Sequence, residues 1–407
     1  MVLGIVAEYN PFHNGHLYHL LKSKEITNDK YVVAVIGGNF TQRGEASIVD
    51  KWTKAEMAID NGVDLVLELP TAYSISSAEN FADGAIKILN SLKIVDNISF
   101  GAECEEINKL NIIANTLHNE TKEFKNILNS ELSKGFSFPK ARENAICSYL
   151  NDESFSKILN EPNNILAIEY LKALKKNRSK INPILIKRQN SGHLNKSYTG
   201  KISSSTAIRN MLKNGNTRNL KDSLTPSSYT ILKDEINQGH FINDISLFEN
   251  IIMYNLRNSS LEDLRRLPDV REGLENLIKK SAFACNTIEE FLRLVSSKRY
   301  TETRIKRILL YSLLNITTKD MESSKKITPY IRVLGFNKQG KELLSSISNN
   351  NPNLKIITSV KKFIEENTNR NLNAMLNKDI FATNVYTLGF LKDGVANLDY
   401  TKKIVTK

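Results

Sequence analysis

The chain has 407 residues, room for two or three domains, and its 41% hydrophobic and 25% charged residues suit a globular protein with a sizeable core. No apolar run approaches the ~20 residues that cross a bilayer, no basic leader precedes a cleavage site, and three scattered cysteines (Cys104, Cys147, Cys285) without a CxxC pair exclude a disulfide framework and a cysteine zinc site. These features predict a cytoplasmic protein with reduced thiols, and the net charge of +12 leaves two readings, a polyanionic partner such as nucleic acid or a basic solvated surface.

From the N-terminus, Val2–Ala7 is a short apolar run that predicts a strand, and Tyr31–Ile36, Val63–Leu69 and Ile98–Phe100 repeat the pattern. Amphipathic stretches at His16–Lys24, Lys51–Asn61 and Ser76–Leu92 separate them. This alternation predicts βαβ units and an α/β, Rossmann-like parallel sheet, with "INPILIKR" (Ile181–Arg188) as a later strand. Residues from about 105 to 180 read as a helical insertion, in which "PNNILAIEYLKAL" (Pro162–Leu174) is the most periodic piece. A polar loop, "QNSGHLNKSYTGKISSS", leads to a helix from about Thr206. Beyond about residue 225 the periodicity is helical, which predicts an N-terminal catalytic domain over 1–225 and a mostly helical domain over 226–407. The terminal "NVYTLGF" reads as a possible strand.

Between the first strand and the first helix lie Asn10-Pro11-Phe12 and His13-Asn14-Gly15-His16. Ligands of open α/β sheets sit at the carboxyl ends of strands, and a helix starting there offers unpaired N–H groups to an anion. Gly15 admits a phosphate close to the backbone, and Pro11 keeps Asn10 extended. His13 and His16 can then face the same phosphates and hold charge growing on an α-phosphate as pyrophosphate leaves, which makes them candidate catalytic residues. An HxxH pair is also compatible with zinc, but no third ligand stands at suitable spacing; two surface histidines are the remaining alternative. A second cluster, "SSSTAIR" (Ser203–Arg209), supplies an N-cap, hydroxyl donors at Ser205 and Thr206, and a guanidinium at Arg209 within reach of β- and γ-phosphates. Alone it also reads as a serine-rich helix cap.

Together the two motifs resemble those of the HIGH-type nucleotidyltransferase superfamily, (T/H)xGH and ISSTxIR, with Ser203 where the second has Ile. The segments "GIVAEYNPFHNGHLYH", "GGNFTQRGEASIVDKWTKAEMAIDNGVDLVLELP", "FGAE", "EPNNILAIEYLKAL", "IKRQNSGH", "RYTETRIKRILL" and "RVLGFNKQGKELL" are similar to the bacterial tRNA(Met) cytidine acetate ligase family, over nearly the whole chain. The resemblance implies a two-step reaction. ATP and acetate form acetyl-adenylate and pyrophosphate, and the acetyl group then passes to the wobble cytidine of elongator tRNA(Met), giving N4-acetylcytidine and AMP. Acetate is already an anion at neutral pH, so the first step needs no general base.

The resemblance also implies an ATP site made of the continuous segment Ala7-Glu8-Tyr9-Asn10-Pro11-Phe12-His13-Asn14-Gly15-His16-Leu17-Tyr18-His19-Leu20, with Gly101, Asn163 and Arg188, and Mg²⁺ accompanying the nucleotide. Asn163 reads equally as a helix cap after Pro162. Gln42 and Arg43, in the glycine-rich "GGNFTQRGEA", are candidates for substrate or tRNA contact, against the alternative of a mobile loop. Lys298, Arg299, Arg304, Lys306 and Arg307 are candidate tRNA phosphate contacts, against a solvated helix face, with Ile305, Ile308 and Leu309 turned to the core. A small-molecule adenylyltransferase would share both motifs without needing the basic C-terminal half. An RNA-binding protein with a degenerate nucleotide site would not need them intact.

Overall fold

A computed structural model describes residues 1–188, 200–215, 219–242 and 244–407. Most of the polar loop after Arg188, from 189 to 199, lies outside the described residues. Five strands, β1 (Val2–Ala7), β2 (Tyr31–Gly37), β3 (Leu65–Leu69), β4 (Asn97–Ala102) and β5 (Asn182–Lys187), run parallel to one another. The central strands β1, β2 and β3 read as nearly continuous apolar runs because both faces of the sheet are buried there. The chain adds β2 and β3 on one side of β1 and β4 and β5 on the other, so the order reverses at β1. That reversal is the place where such a sheet opens a ligand crevice.

Eight helices carry the argument: α1 (Asn14–Thr27), α2 (Lys51–Asp60), α3 (Ala78–Ser91), α4 (Pro162–Lys176), α5 (Ser205–Lys213), α6 (Glu302–Leu313), α7 (Lys338–Asn350) and α8 (Arg370–Tyr386). Between β4 and β5 the inserted segment is helical, and its last helix, α4, packs on α3. Beyond residue 225 the chain is mostly helical, but it returns to the sheet. Strand β6 (Ile331–Phe336) pairs antiparallel with β3, and β7 (Ile356–Ile357) and β8 (Val405–Thr406) pair with β6, so strands from both sides of residue 225 share one sheet. The "NVYTLGF" segment is the end of α8 followed by a short helical turn at Thr387–Gly389, not a strand. Val385 and Tyr386 continue the buried face of α8, and the Tyr386 hydroxyl donates to the Ser47 carbonyl at 2.8 Å. A short apolar run has no period that separates the two outcomes.

A buried charge cluster closes the C-terminal return onto the sheet. The Lys51 ammonium lies 2.9 Å from both Glu68 oxygens and 2.8 Å from Asp399, and Arg332, opposite Glu68 on β6, reaches Asp399 at 3.4 Å. On the same side, α7 crosses the start of β3 at Gly340, where an added Cβ would lie 2.0 Å from the Asp64 carbonyl oxygen. Gly340→Ala is therefore expected to cost about 1–3 kcal/mol through forced displacement of α7. A urea titration checks this; an unshifted midpoint would show that α7 moves without penalty.

Candidate active site

The carboxyl end of β1 runs into a turn in which Tyr9 has φ 46° and Asn10 accepts a hydrogen bond from the Ile48 amide at 2.8 Å. Here α1 begins. His13 is its N-cap: Nδ1 accepts from the Gly15 amide at 3.0 Å, while the His13 amide donates to Nδ1 of His16 at 3.3 Å. The spacing of three is thus that of a reciprocal helix cap, with histidine in both places. The rings stack at 3.8 Å. Because each Nδ1 accepts, the hydrogen-bond pattern assigns the proton of both neutral rings to Nε2. His13 Nε2–H then donates to the Ser205 hydroxyl at 3.0 Å, which joins the start of α1 to the start of α5.

Burial, and then the Arg188 and Arg209 guanidiniums, push His13 down to about 3. Burial, with His13 and Arg188 next, holds His16 well below the usual imidazole range, and burial with Arg188 lowers His19 to about 4. The three rings are neutral hydrogen-bond donors at pH 7, not cations. The unfolded chain takes up protons near pH 6.5, where these rings in the folded chain take up none. The folded state therefore binds fewer protons below that pH, and its stability falls as pH drops from about 6.5 toward 3. The urea midpoint is expected to decline through this window, and less steeply in His13→Gln; identical slopes would contradict the buried neutral assignment.

Ser204 caps α5, its hydroxyl accepting from the Ala207 amide at 3.1 Å. Arg209, one turn on, donates to the Asn10 carbonyl at 3.3 Å, to Thr206 at 3.3 Å and to Glu45 at 2.8 Å. Asn14 donates to the carbonyls of Lys201 (3.0 Å) and Asp222 (2.8 Å), fastening the segments before and after α5 to the start of α1. On the opposite wall the Arg188 amide continues the β5 ladder to the Ala102 carbonyl, and its side chain covers Gly101, where an added Cβ would meet Arg188 Cγ at 3.2 Å. Asn163 donates to Glu103, and the neighbouring Asn164 accepts from the Glu103 and Cys104 amides, both at 2.9 Å. Asn164 is therefore the residue that shapes the turn after β4.

These groups line one cleft of about 520 Å³. Of the segment Ala7–Leu20, the residues Ala7, Glu8, Tyr9, Asn10, His13, Gly15, His16, Tyr18 and His19 line it, as do Gly101, Asn163, Arg188, Ser205, Thr206 and Arg209. Pro11, Phe12, Asn14, Leu17 and Leu20 do not; Phe12 and Leu20 sit in the core beneath the turn. Gln42 and Arg43 line the rim, and the Gln42 amide donates to Glu8 at 2.8 Å. Lys54 supports this loop from below, donating to the carbonyls of Gly37 (2.7 Å) and Gly38 (2.6 Å).

The loop also carries the helical half to the cleft. Gly44 has φ 81°, and an added Cβ there would lie 2.5 Å from Lys306 Cβ and 2.8 Å from the Arg307 nitrogen, so α6 rests directly on it. Arg307 and Thr303 reach the cleft; Lys298, Arg299, Arg304 and Lys306 do not line it. Several of these basic groups have acidic or carbonyl partners within the chain. Arg299 pairs with Glu272, Lys306 with Glu302 at 2.8 Å, Arg307 with Asp269 at 3.7 Å, and Arg304 donates to the Asp269 carbonyl. Ile305, Ile308 and Leu309 are buried. Sequence reading missed Glu45, Lys54 and Asn164; all three lie within or beside quoted motifs, but their roles depend on partners far along the chain.

Among the described residues no group of three or more His, Cys, Asp or Glu could hold a metal ion, and no helix is long and apolar enough to cross a membrane. The HIGH Nucleotidyl Transferase family matches residues 1–398. A tRNA(Met) cytidine acetate ligase from Thermoanaerobacter sp. (strain X514) is 45% identical over 406 residues, 99% of each chain. A crystal structure of apo Thermotoga maritima TmcAL superposes with a TM-score of 0.96 at 34% identity, covering 100% of this chain and 99% of that one. A second, bound with alpha-thio ATP, gives a TM-score of 0.94 at 33% identity, again covering 100% and 99%. The chain therefore belongs to the HIGH nucleotidyltransferase family and, within it, to the tRNA(Met) cytidine acetate ligases.

Proposed function

We propose that the protein uses ATP to join acetate to the wobble cytidine of elongator tRNA(Met) in the cytoplasm. The observation that carries this reading is the meeting of two helix starts, α1 with its paired histidines and α5 with Ser205, Thr206 and Arg209, in one cleft. Helix N-termini attract phosphate through their unpaired amides and dipoles. In the first step an acetate oxygen attacks the α-phosphorus, and the bond to the β-phosphate oxygen breaks with its electrons going to pyrophosphate. His16 Nε2–H and the positive end of the α1 dipole hold the charge on the α-phosphate, while His13 orients Ser205. Arg209, with Ser205 and Thr206, takes the β- and γ-phosphates in exchange for Glu45. Ala7, Glu8, Tyr9, Gly15, Tyr18 and His19, with Gly101, Asn163 and Arg188, frame the nucleotide.

In the second step the cytidine N4 amine attacks the acetyl carbonyl, loses a proton and releases AMP. Arg43 at the rim and the basic stretch Lys298, Arg299, Arg304, Lys306 and Arg307 beside it would guide the anticodon loop through its phosphates. For Mg²⁺, Glu8 is the one acidic side chain lining the cleft among the described residues. One carboxylate together with phosphate oxygens and waters is a donor set that suits Mg²⁺. The ion would neutralise phosphate charge when bound.

The test is incubation with ATP, labelled acetate and elongator tRNA(Met), followed by nucleoside digestion. Label in N4-acetylcytidine is expected. An adenylylated small molecule with unlabelled RNA would instead indicate the small-molecule adenylyltransferase.

A further inference from the structure

Asn10 is 2% exposed and lines the cleft. The Ile48 amide donates to its Oδ1 at 2.8 Å, which fixes the orientation of the side-chain amide, and its main-chain carbonyl accepts from Arg209. Its Nδ2 carries two N–H donors that are buried without a hydrogen-bond partner among the described residues. A buried donor left unpaired is costly, and it persists where a ligand brings the acceptor.

The substrates of the proposed reaction offer two kinds of acceptor. The phosphate oxygens already have the helix dipoles, His16, Ser205, Thr206 and Arg209. The carboxylate that must sit against the α-phosphate has no assigned donor. Asn10 lies three residues before the N-cap of α1, on the turn that presents both histidines, and lines the same cleft as they do, where the proposed reaction puts the α-phosphate. An amide also suits this place electrically: it binds an anion without repelling ATP, as an aspartate would, and without drawing the triphosphate away from Arg209.

We propose that Asn10 Nδ2 donates to the non-attacking oxygen of acetate, an assignment that rests on the acetate-ligase reading above. The chemistry gives this donor two uses. The attacking oxygen becomes the bridge to phosphorus, so the other becomes the acetyl carbonyl oxygen. When the cytidine amine attacks, that same atom takes up the negative charge of the tetrahedral intermediate, which collapses to the amide as AMP departs. One fixed donor follows one oxygen atom through both steps, and a donor aimed at a developing oxyanion strengthens as the charge grows.

The test uses the full chain with three readouts: acetate-dependent ATP–pyrophosphate exchange, transfer from synthetic acetyl-adenylate to tRNA, and binding of alpha-thio ATP. Asn10→Ala is expected to raise the acetate KM and slow the transfer step, each by on the order of 10-fold to 100-fold. Its affinity for alpha-thio ATP is expected to stay within about 2-fold, since that ligand has no carboxylate to lose. Asn10→Asp keeps the acceptor for the Ile48 amide and removes both donors, so it is expected to lose both steps, the first partly through repulsion of ATP, and a melting curve establishes that it folds despite the buried carboxylate. An unchanged acetate KM and transfer rate in a folded Asn10→Ala or Asn10→Asp protein would overturn the subsite alone. A fall in analogue affinity equal to the loss of activity in Asn10→Ala would assign Asn10 to the nucleotide and also overturn it. Absence of acetate-dependent exchange in the unaltered protein would overturn the acetate reading and the subsite together.

Discussion

Replacing His16 with alanine is expected to reduce acetate-dependent ATP–pyrophosphate exchange on the order of 10²- to 10³-fold, the cost of one donor lost from a developing charge. The loss should fall on kcat more than on the KM for ATP, because the phosphates retain the helix dipoles and the α5 contacts in the ground state. His16 is neutral with its proton on Nε2, so the loss should also be nearly independent of pH between about 6 and 8. His16→Asn, which restores a neutral donor, should recover part of the rate, whereas a cationic His16→Lys should not. Pyrophosphate exchange near the wild-type rate in His16→Ala would mean that the reacting phosphorus lies elsewhere.

Lys51→Met is expected to be the most destabilising of the substitutions considered, by about 3–5 kcal/mol, because it strands carboxylates in the interior rather than merely removing an attraction. Lys51 is fully buried, and despite burial, Asp399 and Glu68 hold its ammonium above its ordinary pKa. Without it, Glu68 has no cation at salt-bridge distance among the described residues, and Asp399 keeps only Arg332 at 3.4 Å. The C-terminal turn bearing Asp399 should loosen from the sheet first, exposing backbone amides around 398–406 to hydrogen exchange. Adding Glu68→Leu should recover part of the loss by removing the second stranded charge. A shift in the urea midpoint equivalent to less than about 1 kcal/mol would show that water reaches the cluster.

How legible these features were in the sequence depended on how local their causes are. The strand-turn-helix at Val2–Thr27 is readable because a both-faces-buried strand, a proline-fixed turn and a helix start follow one another within a few residues. The pairing of His13 with His16 is equally local, since three residues is the N-cap to N3 distance of any helix. That His13 meets Ser205 could be expected only through the joint presence of both motifs. The pairing of Arg209 with Glu45, the support of the rim loop by Lys54 and the seat of α6 on Gly44 were not legible. Each joins positions whose separation is set by the fold rather than by a period. The same applies to β6, β7 and β8: β6 pairs with β3 from the far end of the chain, and the two-residue β7 and β8 pair parallel with β6, so none carries a hairpin signal. For the basic residues between Lys298 and Arg307 the sequence leaves phosphate contacts and a solvated helix face as alternatives; the partners of Arg299, Arg304 and Arg307 at Glu272 and Asp269 come from a different helical connection and carry no local signal.

The central claim is that a triphosphate bridges the starts of α1 and α5. The most direct measurement is a crystal structure of the protein with an ATP analogue that cannot release pyrophosphate. The account predicts an α-phosphate oxygen within hydrogen-bond distance of His16 Nε2, the β- and γ-phosphates against Ser205, Thr206 and Arg209, and Glu45 displaced from Arg209. Phosphates bound away from both helix starts, with the Arg209–Glu45 pair intact, would contradict it.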